Sequence, residues 1–89
     1  MPRRAHRQLN YLWIARKQVG LAQKSVARLL GHKTTSIISE YENGRLLPNL
    51  RNALKLAAIY KRSVSELYSP LYREIEQELA SARPKHLPL

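Results

Sequence analysis

Apolar residues recur every three or four positions along most of the chain, and strict polar–apolar alternation is absent. Leu9, Leu12, Trp13 and Ala15 form the first inward stripe; Val26, Ala27 and Leu30 form a second, and Ile38 and Tyr41 a third. Gly and Pro fall at intervals that suit short helices. The pattern predicts helices over about 8–19, ended by Gly20, then 23–30 and 35–42, the last closed by Asn43-Gly44. After an Arg45–Pro48 loop, Asn49 caps a fourth helix over 50–60, with Leu50, Ala53, Leu54, Ala57 and Ala58 at helical spacing. Ser63-Val64-Ser65-Glu66 has the form of a capping box and opens a short fifth helix near Val64. Ser69-Pro70 then reads as N-cap and first helical position of a sixth helix over 71–82, whose stripe is Leu71, Tyr72, Ile75 and Leu79. The expected fold is all-α: a compact bundle of five short helices over 8–68, preceded by a basic arm (1–7) and followed by a C-terminal helix and tail (69–89).

The segment from Leu21 to Gly44 carries the most specific pattern. Ala27 stands where the third helix crosses closest to the second, so a larger side chain would push the pair apart. Gly31 follows Leu30 where the chain must reverse, a position that favours positive φ. Ile38 and Tyr41, one turn apart, fill the wedge against helix one, and Thr34 or Thr35 can accept a bond from an exposed N–H of helix three. The outward side of that helix is small and polar. Such a pair of helices suits a helix-turn-helix whose second member enters a DNA major groove; the plain alternative is a buried helical hairpin.

Charge strengthens the first reading. The chain of 89 residues has 16 Lys+Arg against 6 Asp+Glu, a formal net charge of +10, and residues 1–39 contain no acid at all. An excess so placed points to a polyanionic partner, against the alternative of a basic face that is merely solvated. An anionic membrane is disfavoured, because the basic residues do not line one side of a strongly amphipathic helix. No apolar run approaches a membrane span and no apolar h-region follows the first residues, so neither a membrane segment nor a signal peptide is expected. Cysteine is absent, which fits a reducing cytosol. His6, His32 and His86 lack ligand spacing, and no phosphate loop, nucleophile elbow or acid pair occurs; neither a metal, a cofactor nor catalysis is expected. Trp13 is assigned to the core or to a subunit contact.

Residues 8–68 resemble the phage-repressor (Cro and lambda-repressor, XRE-type) helix-turn-helix domain, common in bacterial transcription regulators and antitoxins. The resemblance rests on Arg16 four before Gly20, Gly20-Leu21-Ala22-Gln23, Val26-Ala27, Leu30-Gly31, Ile38 to Gly44, Pro48-Asn49-Leu50, Leu54-Lys55-Leu56-Ala57 and Val64-Ser65-Glu66-Leu67. It implies that Thr35, Ser36, Ser39 and Glu40 face base edges, with Ile37 or the threonine methyls against thymine methyls. Phosphates would be held by Gln23, Lys24, Arg28, Lys33, Thr34, Asn43, the Gly44 N–H and Arg45. Arg16 would form a partly buried ion pair with Glu42. One departure is the spacing: Gly31 to Gly44 is thirteen steps, one more than is commonest. Placing the extra residue in the turn makes Ile38 the buried residue; placing it elsewhere makes it Ile37. The other is Glu40, where a carboxylate repels phosphate yet accepts from cytosine N4, or is held by Lys33 or an arm arginine.

Arg3, Arg4 and Arg7 either track a groove or form a solvated tail. The implied function is a transcription regulator on double-stranded DNA, in the cytoplasm of a bacterium or phage-encoded, associated with the nucleoid. A repressor acting as a homodimer on a two-fold operator leads; an antitoxin that grips a toxin and represses its own operon is the alternative. The stripe of the sixth helix either packs back on the body or pairs with a partner.

Overall fold

The computed structural model describes residues 10–82 as six helices, with no strand among them: α1 (Leu12–Gln18), α2 (Gln23–Leu29), α3 (Ser36–Glu42), α4 (Leu50–Tyr60), α5 (Val64–Leu67) and α6 (Ser69–Ala82). The all-α expectation holds, and most boundaries agree within two residues. Leu9 and the arm arginines Arg3, Arg4 and Arg7 lie outside the described residues.

α1 starts later than the stripe predicted, and Asn10 is the reason. Its Oδ1 accepts from the Leu12 N–H at 2.9 Å while its Nδ2 donates to the Tyr41 carbonyl at 3.0 Å. The side chain is buried and spends both ends on backbone, as a polar group withdrawn from water must. The adjacent Tyr11 N–H donates to the Leu67 carbonyl at 2.8 Å, so the entry to α1 is tied to α3 and α5 together.

The α2 exit explains the spacing of the motif. Gly31 has φ +87°, with the His32 N–H on the Ala27 carbonyl at 2.8 Å and the Gly31 N–H on Arg28 at 2.9 Å. These are the paired bonds of a Schellman cap, which needs a left-handed residue at that point. A Cβ there would meet nothing within 4 Å, so the demand is conformational and not steric. Thr34 Oγ1 accepts from the Ser36 N–H at a long 3.4 Å, whereas Thr35 makes no side-chain cap.

Leu12, Val26, Ile38, Leu56 and Leu67, one from each of the first five helices, are buried to within 1% and meet in one core with Tyr41, Tyr60 and Tyr68. Burying each such aliphatic side chain contributes roughly 2 kcal/mol. Ile38 is the buried residue of α3 and Ile37 only borders the core, so the extra residue belongs to the turn. α4 corrects the expected stripe. Ala53, Leu56 and Tyr60 face inward, while Leu50 is 74% exposed and Leu54 is exposed too. Arg51, Asn52 and Lys55 mark one side of the helix, but the apolar arc is wider than the core it meets, and periodicity alone could not choose which part of that arc turns inward. α5 has the expected capping box, Ser63 with Glu66. α6 begins two residues early, the Tyr72 N–H bonding back to Tyr68, and buries none of its own residues; only Leu71 of its stripe packs on the core.

Candidate nucleic-acid interface

α3 divides into two sides. Ile38, Tyr41 and Glu42 point inward, and Ser36, Ser39, Glu40 and Asn43 stand at i, i+3, i+4 and i+7, one outward face. Every residue on that face has a short or medium polar side chain. Ser36 is exposed, the other three are half-buried, and Asn43 Nδ2 donates to Ser39 Oγ at 3.4 Å. Thr35 and Ile37 flank the face, both half-buried, with Ile37 turned partly to the core.

A buried carboxylate sets the angle of this helix. Glu42, 3% exposed, accepts from Arg16 Nε at 2.6 Å and Nη2 at 3.3 Å, while Arg16 Nη1 donates to the Leu21 carbonyl at 2.9 Å. Glu42 Oε1 also accepts from Gln23 Nε2 at 3.0 Å. One carboxylate therefore joins the end of α3 to α1 and to the first residue of α2. Gln23 was assigned to phosphate; here one amide hydrogen is spent on Glu42, which turns the amide nitrogen toward α3. Asn52 Nδ2 donates to the Tyr41 hydroxyl at 3.1 Å and adds a link from α4.

One expectation changes at the α3 exit. Glu40 is held by Arg45, Nε to Oε1 at 3.1 Å, and not by Lys33. The partners are five apart, beyond the helical i+4 neighbour, and meet only because Gly44, at φ +76°, reverses the chain. The Gly44 N–H, assigned to a phosphate, donates to the Tyr41 carbonyl at 3.1 Å as part of the helix cap. Lys24, Arg28, Lys33 and Thr34 are exposed on α2 and the turn beside the polar face. Trp13 is half-buried, with the Lys17 ammonium 5.5 Å from its ring centre.

Burial disfavours the charged form of two core phenols. Tyr68 is pushed up to about 12 by desolvation and then by Tyr41; Tyr60 is raised further by desolvation and then by the Glu42 charge. Among the described residues no cluster of His, Asp or Glu is placed to hold a metal, and no helix is long and apolar enough to cross a membrane.

Two short helices crossed through a tight turn, the second with a buried and a polar side, beside exposed cations, define a helix-turn-helix DNA-binding domain. The sequence profile of the helix-turn-helix family matches residues 14–67, more than half the chain, and the chain belongs to that family, in its XRE type. It is a DNA-binding transcription regulator of that type. No curated protein and no solved structure matches the chain.

Proposed function

We propose that the chain is a sequence-specific repressor that lays α3 in the major groove, two copies reading a two-fold operator. The observation that carries this is the outward face of Ser36, Ser39, Glu40 and Asn43, backed by the buried Arg16–Glu42 pair that keeps the second carboxylate away from DNA. Thr35, Ser36, Ser39 and Glu40 read bases, with Ile37 as an apolar edge; Gln23, Lys24, Arg28, Lys33, Thr34, Asn43 and Arg45 hold phosphates, joined by Arg3, Arg4 and Arg7 of the arm. Glu40 selects an exposed cytosine amine, and Arg45 neutralises it until DNA arrives.

The test begins with duplexes selected from a random pool and continues with Glu40→Ala on the selected site. Removing the carboxylate frees Arg45 for a phosphate, so affinity for unrelated DNA rises while preference at one base pair is lost. Gln23→Ala and Asn43→Ala weaken every sequence alike. An unchanged base preference in Glu40→Ala would remove α3 from the reading role.

A further inference from the structure

We infer that the acidic side of α6 receives the chain's own basic arm when DNA is absent, a latch that a duplex must open. Glu74 and Glu78 stand one turn apart, and with Gln77 and Ser81 they line a single shallow recess of α6. Both carboxylates are exposed, and among the described residues no cation pairs with either. Glu42, Glu40 and Glu66, by contrast, are engaged by Arg16, Arg45 and the Ser63 N–H. In a chain with 16 Lys and Arg against 6 Asp and Glu, such a carboxylate pair is where a basic segment gains most.

The point where the arm joins the body selects it as the occupant. Asn10, Gly44, Tyr68, Leu71 and Glu74 line one recess of 240 Å³, so the chain enters the fold beside Glu74. Arg7 is three residues before Asn10, at most about 10 Å of chain, and Arg4 and Arg3 reach about 20–25 Å. Glu78 lies only about 6 Å along α6 from Glu74. Tyr68 is an independent sign of an occupant. It is 8% exposed, and its hydroxyl, closed to solvent, has no hydrogen-bond partner, a donor open to a backbone carbonyl of the arm. A tethered segment also acts at an effective concentration in the millimolar range, above that of a free basic partner. Gly44 ends α3 at the same recess, so an arm leaving Glu74 already stands at the edge of the DNA interface. Exposed ion pairs are individually weak, which keeps the latch shallow enough for a duplex to open. The latch rests on the proposed phosphate role of Arg3, Arg4 and Arg7 and adds a competitor for it.

Two measurements on the full chain test the latch. The chain has no Cys, so Ala5→Cys carries a single nitroxide label on the arm. At low salt the label is expected to broaden the amide signals of residues 74–78 in the free protein, and a selected duplex is expected to restore them. The second measurement is a cycle of DNA affinities. Glu74→Gln with Glu78→Gln is expected to tighten binding about fivefold when the arm is wild type. The gain is expected to fall below about 1.5-fold when the arm carries Arg3→Gln, Arg4→Gln and Arg7→Gln. Plain repulsion between the acids and DNA gives the same gain with either arm. Equal gains, with the arm variant itself weaker on DNA than wild type, would therefore overturn the latch. So would α6 signals that the label leaves untouched, and either result would leave the acids to Arg83 and Lys85 of the tail or to a foreign basic protein. An arm variant as tight on DNA as wild type would instead strike the arm's phosphate role, and the label alone would then decide the latch.

Discussion

Glu42 follows Tyr41 on the helix proposed to meet DNA, and its carboxylate is buried away from that helix's polar side. The withdrawal is sustained only by Arg16, which gives it two N–H bonds and a charge, with Gln23 giving a third bond. Removing the cation leaves a carboxylate, 3% exposed, with one amide for company. Arg16→Ala is therefore expected to lower unfolding free energy by about 3–5 kcal/mol in urea titration, and Arg16→Met combined with Glu42→Met by less than half as much, since a packed apolar pair carries no stranded charge. Equal losses in the two variants would show that the site works by volume and not by charge. The sequence pointed to this pair through the family resemblance. It did not find Asn10, because an Asn before an apolar stripe carries no mark of what its two ends will bond.

At the scale of elements, legibility followed local chemistry. The capping box at Ser63, the Asn49 cap and the glycine ending α2 were readable because each is a short-range bond that one or two residues determine. The inner side of α4 and the emptiness of α6 were not, because they depend on which neighbours arrive. α4 has one further feature. It ends in Lys61 at φ 57°, the left-handed position glycine fills after α1, α2 and α3. A side chain there carries about 1 kcal/mol of backbone strain. Lys61→Gly is expected to stabilise the fold by about that amount and raise Tm by roughly 4–8 °C in a thermal melt. A fall in Tm would mean that the lysine side chain holds the turn through contacts of its own.

For the molecule as a whole, two fields oppose each other: a low-dielectric core of phenols and a cationic exterior. The phenols set the alkaline limit. Tyr60 and Tyr68 lose their protons less readily folded than unfolded, so the native state retains protons that the unfolded state releases above about 10. Their contribution is complete below that pH and is lost as pH climbs toward 12 and beyond. Thermal melts are expected to hold level near pH 9 and to drop steeply between about 10 and 12, with the part of the phenolate absorbance that Tyr60→Phe and Tyr68→Phe remove appearing together with unfolding. Free ionisation without loss of helix would show the two rings to be wetter than their burial implies.

The exterior sets the affinity. A duplex releases counterions for each phosphate neutralised, so the logarithm of the binding constant falls with the logarithm of salt by about 0.9 per contact. With about six contacts among Lys24, Arg28, Lys33, Arg45 and the arm, the slope is expected near −5. Lys24→Ala and Arg28→Ala are each expected to make it shallower by about 0.9, whereas Ser39→Ala leaves it unchanged because a hydroxyl on a base edge displaces no cation. The distinction separates the two faces by a measurement rather than by geometry. If Lys24→Ala and Arg28→Ala left the slope where it was, the exposed cations beside α3 would be solvated ornaments of the surface, and the whole weight of recognition would fall on the polar ridge.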